Sequence, residues 1–311
     1  MANAKRIPRI GLLLPTHSTY FQAGNWLFPI RELFEKKAAE GLCTFEIIGT
    51  DKQVHGAPDL PGPAVELVKK LAFDGIVACS VTSDMYHAQL AQLGIPLVAA
   101  DFDPQGRICD AVSFDGQQGG QLLGQKLRET GHKNVIFAAR FGRDLTAPKG
   151  AQAFVEDEVS IDRRLGVLTG LEGGKAEMWS TLPIFPGNSN TEIAERLKRM
   201  IDSYGRKPDA LTGHDGGYID RVREVLPQVG LDPVRDISIC TFHARPSFDT
   251  PAHSEVNVSH TVFSVQEMAN ESWRLLEERL SGKVPAKAAP RLIKLPGRFV
   301  DRGTIRNLAG K

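Results

Sequence analysis

Two of the eight histidines in this sequence, His214 and His243, each follow a short strand-like run, Asp209 to Thr212 and Ile237 to Phe242. Ligands of open parallel sheets sit beyond the carboxyl ends of the strands, so imidazoles at two neighbouring strand ends would share one site. A metal would need a third ligand at recognisable spacing, and none is present; the better reading is a pair of hydrogen-bonding imidazoles, with no metal and no cofactor. Asp215, in GHDGGY, is placed to cap the helix that follows. Arg163 and Arg164 open an apolar helix. They are either solvated or reach into a cleft to grip a hydroxyl, carboxylate or phosphate, and spacing alone does not choose. The turn after the first strand, PTHSTYFQAGN, offers His17, Ser18, Thr19, Tyr20 and Phe21, a set of hydroxyls, rings and an imidazole. It suits a sugar-like ligand and a plain cover for the core about equally.

That same turn lacks the GxGxxG pattern that would hold a dinucleotide. No GxxxxGK[ST] loop, GxSxG elbow or HExxH helix occurs elsewhere, so the common signatures of phosphate binding, acyl transfer and zinc proteolysis are absent from the sequence. The expectation is a binding protein and not an enzyme.

The elements that must position these residues alternate between β-rich and helical-period runs from Ile10 almost to the end. The expected class is α/β, with parallel sheets covered by helices on both faces. Continuously apolar strands fall near Ile10 to Leu14, Phe45 to Ile48, Gly75 to Cys79, Pro96 to Ala100 and Val135 to Ala139. A helix from about Asn25 to Ala39 stops at Gly41; another begins behind Asp115 and ends at Gly131. The second half repeats the theme with helices at about Thr191 to Tyr204 and Tyr218 to Val229, then a late helix carrying Val265, Trp273 and Leu280. A Pro- and Lys-rich link, Gly282 to Pro290, leads to a last apolar run, Leu292 to Leu295. Phe141 to Ile161 is the least regular stretch and is expected to be a joint or loop. No repeat or low-complexity tract stands out.

Composition is that of a globular chain: 311 residues, 41% hydrophobic and 24% charged. The formal net charge of +1, with Lys and Arg scattered, offers no broad basic face for nucleic acid. Cys43, Cys79, Cys109 and Cys240 form no CxxC pair and read as buried reduced thiols. The run IGLLLP is too short for a secretory core, and nothing approaches the roughly 18 apolar residues of a membrane span, so a soluble cytoplasmic protein is expected.

Several segments, in order and over nearly the whole chain, resemble one family, the LacI/GalR transcriptional regulators. They are LGIPLVAADFD, VSFDGQQGGQLLGQKLRETGHKNVIFAAR, DRRLGVLTGL, PDALTGHDGGYIDRVREVLPQVGLDPVRDISICTFHARP and RLIKLPGRFVDRGT. The resemblance implies two similar doubly wound subdomains of periplasmic-binding-protein type, joined by three crossovers, with a small effector in the cleft. The boundaries expected from it are 10–140 plus 262–287 for the first subdomain and 141–261 plus 288–305 for the second, with tails at 1–9 and 306–311. It places the family's ligand-contacting arginine on Arg163, its Asn-Asp pair on His214 and Asp215, the carboxylate of its Gly-aromatic-Asp turn on His243, and its first-loop contacts among His17, Tyr20 and Phe21. Imidazoles at 214 and 243 replace an amide and a carboxylate, a change that favours an anionic ligand beside Arg163. Family members carry a helix-turn-helix head before the first strand, and here only MANAKRIPR precedes it. The implied protein is a homodimeric effector-binding core that meets DNA only through such a head. The effector would be a sugar, sugar acid, sugar phosphate or nucleoside. A transporter's solute-binding protein and a sugar or nucleoside enzyme are the rival readings.

Overall fold

A computed structural model describes residues 6–14, 27–49, 63–81, 84–104, 106–143, 154–174, 178–245 and 257–310. The chain runs β1 (Arg9–Leu14), α1 (Phe28–Ala39), β2 (Thr44–Gly49), α2 (Pro63–Leu71), β3 (Gly75–Cys79), α3 (Asp84–Ala91), β4 (Leu97–Ala100) and β5 (Asp110–Phe114). It continues with α4 (Gly116–Glu129), β6 (Asn134–Arg143), β7 (Phe154–Glu156), α5 (Glu158–Leu171), β8 (Met178–Ile184), α6 (Asn190–Tyr204), β9 (Ala210–Gly213) and α7 (Gly216–Val225). After β10 (Ser238–Arg245), β11 (Ser259–Ser264) and α8 (Val265–Leu280), the chain ends with β12 (Leu292–Leu295) and β13 (Arg298–Val300).

Contacts divide the chain into two units. The first takes the described residues of 1–114 and 264–295, together with Arg245. It holds a six-stranded sheet in the order β12-β5-β4-β3-β1-β2, parallel throughout. The second takes those of 115–244, 257–263 and 296–310. Its sheet runs β13-β11-β10-β9-β6-β7, with β8 also on β6. Strands β8, β6, β9 and β10 are parallel to one another, while β7 and β13 pair antiparallel with β6 and β11. Each unit has the doubly wound order in which the second strand lies outside the first, and the order reverses between β1 and β3 in one unit and between β6 and β9 in the other. The fold class is therefore as the sequence indicates.

The unit boundaries differ from the expected ones. Helix α4 and strand β6 belong to the second unit, because β6 pairs with β8 and β9 and α4 lies on α5. Strand β12 belongs to the first, where Leu292 to Leu295 pair with Ala111 to Phe114. The first passage between units accordingly falls at Phe114–Asp115 and not near residue 140. The sequence carries no break there: β5 runs into the α4 cap without a linker.

Local chemistry explains most element ends. Asp115 caps α4 by accepting from the Gln118 amide at 2.9 Å, and Ser264 caps α8 by accepting from Glu267 at 3.2 Å. Ser189 and Glu192 form a reciprocal capping box at α6, which stops at Gly205 in the left-handed region. The α4–α5 crossing rests on glycine: a Cβ on Gly120 would lie 2.3 Å from the Arg163 carbonyl oxygen, and one on Gly166 2.1 Å from that of Gln117. Arg279 and Arg291 both bind the buried Asp110 carboxylate and so fix α8 and β12 against β5. All four cysteines are buried free thiols, and burial pushes Cys109 and Cys240 up to about 12.

Candidate functional site

Four of the seven sequence-nominated residues fall in the second unit, at the carboxyl end of its sheet. His214 directly follows β9, and its amide donates to the Ala138 carbonyl of β6 at 2.9 Å, so it stands where the strand order reverses. Its side chain is 5% exposed, with the ring edge against Tyr218 at 5.3 Å. Burial, followed by the charges of Arg163 and Arg140, holds its imidazole well below the usual histidine value, so the ring is neutral at neutral pH.

Two carboxylates flank that ring just beyond hydrogen-bond length. Asp157 Oδ1 lies 3.9 Å from Nδ1, and Asp215 Oδ2 lies 3.8 Å from Nε2. Nδ1 has no hydrogen-bond partner among the described residues. Each carboxylate also caps a helix: Asp157 accepts from Val159 and Ser160 at the head of α5, and Asp215 Oδ1 accepts from Tyr218 at the head of α7. The cap expected of Asp215 is thus present. Separations of 3.8 and 3.9 Å leave no room for an oxygen on the line between acid and imidazole, so a water or a ligand hydroxyl bridges such a pair only from the side.

Arg163 lies in α5 and is 8% exposed. Its Nη1 donates to the His214 carbonyl, and its guanidinium stands over the rings of Phe242 at 5.0 Å and Phe263 at 5.7 Å. Arg164, half-buried, instead forms a two-pronged salt bridge to Glu156, both contacts at 2.9 Å. His243, half-buried on β10, meets the fully buried His260 of β11 edge to face at 5.9 Å. His260 Nδ1 lies 2.7 Å from the Val258 carbonyl, which only accepts, so this nitrogen carries the proton.

His17, Tyr20 and Phe21 lie outside the described residues. Among the described residues no group of three or more His, Cys, Asp or Glu could hold a metal ion, and no helix is long and apolar enough to cross a membrane. His132 is 1% exposed and bridges Thr130 Oγ1 at 2.9 Å and Ser238 Oγ at 2.7 Å.

Sequence reasoning missed Asp157, Phe242, Phe263 and Arg140 as neighbours of the site. An acidic residue just ahead of an apolar helix marks Asp157 as a cap, but the irregular run around it hides the helix start. The two phenylalanines look like ordinary strand core.

No family model matches the chain, and no curated protein matches it. Solved structures do. A LacI-family transcriptional regulator from Enterococcus faecium with bound ribose is 18% identical, covering 96% of this chain and 99% of its own, with a TM-score of 0.64. A LacI transcriptional regulator from a Rhodococcus species is 18% identical over 96% of this chain and 99% of its own, with a TM-score of 0.67. A periplasmic binding protein/LacI transcriptional regulator from Alkaliphilus metalliredigens, complexed with D-xylulofuranose, is 17% identical over 96% and 98%, with a TM-score of 0.65. Sequence identity this low carries fold and no more: the chain has the fold of LacI-family regulators and periplasmic binding proteins along almost its whole length.

Proposed function

We propose that this chain is the effector-binding core of a LacI-type transcriptional regulator and that it senses a small sugar-like metabolite without catalysis. The observation that carries the reading is the cluster of Arg163, His214, Asp157 and Asp215 at the strand-order reversal of the second unit, where sheets of this kind take ligands. Structural neighbours solved with ribose and with D-xylulofuranose support the same class of ligand. In this reading the ligand touches Arg163, His214, Asp215 and His243, and the first-strand turn with His17, Tyr20 and Phe21 completes its contacts. The regulator works as a homodimer, and its DNA contacts come from a helix-turn-helix head.

Of the two ligand classes considered, a neutral polyol is favoured over an anion. A neutral His214 adds nothing to the positive charges of Arg163 and Arg140, and two carboxylates within 4 Å of its ring offset those charges while accepting hydrogen bonds from hydroxyls. Asp157 thus restores the acceptor capacity that imidazoles at 214 and 243 take away.

Thermal unfolding in the presence of D-ribose, D-xylulose, cellobiose, gluconate, glucose 6-phosphate and adenosine tests this. A ligand present at about 100 times its Kd stabilises by about 2.7 kcal/mol. A neutral sugar is expected to raise Tm by several degrees, with the rise lost in Arg163→Ala and His214→Ala and reduced in Asp157→Asn. If no compound in the panel stabilises the protein, or if both alanine variants respond like the parent, the reading is wrong. Stabilisation by the anionic members alone would overturn the preference for a polyol.

A further inference from the structure

Phe263 is fully buried and is the last residue of the second unit before the chain passes to the first at Ser264. One face of its ring carries the Arg163 guanidinium, with the cationic carbon 5.7 Å from the ring centre. The ring also fits against two glycines that leave room only for a hydrogen. A Cβ on Gly119 would lie 2.7 Å from Phe263 Cζ, and one on Gly297 2.8 Å from its Cε1.

Those glycines sit on two other segments by which the chain crosses between units. Gly119 is in the first turns of α4, just after the Phe114–Asp115 boundary, and Gly297 follows the Leu295–Pro296 boundary. Polar contacts bind the same pieces together. Thr261 Oγ1 donates to the Gly119 carbonyl at 2.8 Å, and the Gly297 amide donates to Gln118 Oε1 at 2.8 Å. One aromatic ring therefore touches a candidate ligand residue and all three of these connecting segments.

We propose that Phe263 is a positioning residue that holds the Arg163 guanidinium in the ligand site and ties it to these three segments, so that a ligand's grip on Arg163 is felt at each. The use of this tie in signalling rests on the function proposed above; the tie itself does not. Close packing makes the transmission direct: two glycines press on the Cζ, Cε1 and Cδ1 edge of the ring, so a displacement of the guanidinium that shifts the ring toward that edge meets backbone.

Hydrogen exchange on the full chain without ligand tests the tie, comparing the parent with Arg163→Met, Phe263→Leu and the double variant. Losing a desolvated cation–π contact is expected to speed exchange about thirtyfold. The increase should appear in the peptides covering 116–121, 258–264 and 296–300, leave α6 and the first unit's sheet unchanged, and be no larger in the double variant than in the stronger single one. Changes confined to α5 and the ends of β9 and β10, a uniform rise across the second sheet, or additive effects would each overturn it. If Arg163→Met does not fold, Phe263→Leu decides alone: faster exchange must reach both 116–121 and 296–300. A sugar panel that finds no ligand would remove the proposed function while leaving this result to stand or fall by itself.

Discussion

Exchanging Gly166 for alanine probes the feature that places Arg163, the glycine crossing of α4 on α5. The added Cβ would lie 2.1 Å from the Gln117 carbonyl oxygen. An ordinary carbon–oxygen contact needs about 3.3 Å or more, so the helices must part by roughly 1.2 Å. No rotamer change can relieve this, because the clash is with backbone. The same interlock recurs on both sides of the crossing: a Cβ on Gly124 would come within 2.2 Å of the Val167 carbonyl oxygen, and one on Gly170 within 2.3 Å of that of Gln121. Parting the helices would loosen Leu123, Leu127 and Val167, all fully buried. Overpacking of this kind costs about 3 kcal/mol, and the better helix propensity of alanine returns about 1 kcal/mol, for a net loss of about 2 kcal/mol. Gly216, in the first turn of α7, supplies the control, since a Cβ there meets nothing within 4 Å and its φ is not left-handed. Gly216→Ala is expected to be neutral or up to about 1 kcal/mol stabilising. Urea unfolding followed by far-ultraviolet circular dichroism, with the slope held constant, measures both. Equal midpoints for Gly166→Ala and the parent, or equal shifts in the two variants, would refute the claim that backbone contact sets this crossing.

Three further outcomes are expected. His132 and His214 both lie below the usual imidazole value, chiefly through burial, so the unfolded chain binds protons that the folded chain refuses. Stability should be flat above the unfolded value near about 6.5 and fall as pH drops below it, by up to about 1.4 kcal/mol per pH unit for each ring. Urea midpoints between pH 5 and 8 should show a shallower fall in His132→Gln, and an unchanged fall would remove His132 from the account. Burial alone would raise the carboxyl of Asp110, but hydrogen bonds from Arg279 and Arg291 outweigh it and hold the group below its ordinary value. Asp110→Asn removes the anion that Arg279 and Arg291 share, leaving Arg291 with Glu278 alone, and should cost about 3 kcal/mol in urea unfolding; a loss under about 0.5 kcal/mol would show the cluster to be idle. Ser264→Ala removes the α8 cap, and a loss of about 1 kcal/mol by the same assay is expected; no loss would mean that packing alone holds that helix start.

The strands whose apolar runs are unbroken, such as Gly75 to Cys79 and Val135 to Ala139, are legible in the sequence because burial on both faces leaves no polar positions. So are the caps at Asp115 and Asp215, which depend only on a side chain and the next few amides. Strand β11 is hidden: Ser259, His260 and Thr261 are all buried polar residues, and the Arg302 amide and Gly119 carbonyl that satisfy Ser259 and Thr261 lie far along the chain. Strand β5 is hidden for the same reason, since its first residue is a buried aspartate made tolerable by arginines 169 and 181 positions away.

By itself, then, the sequence determined the class of the fold, the alternation of its elements and the arginine and histidines worth watching, because those follow from periodicity, local hydrogen bonding and residue type. Tertiary structure alone decided that β6 joins β8 and β9, that β12 joins β5, and that Asp157 and Asp215 close on either side of His214. Parallel strands pair only across long connections, and the choice of partner rests on contacts between residues far apart in the chain, which no local pattern encodes.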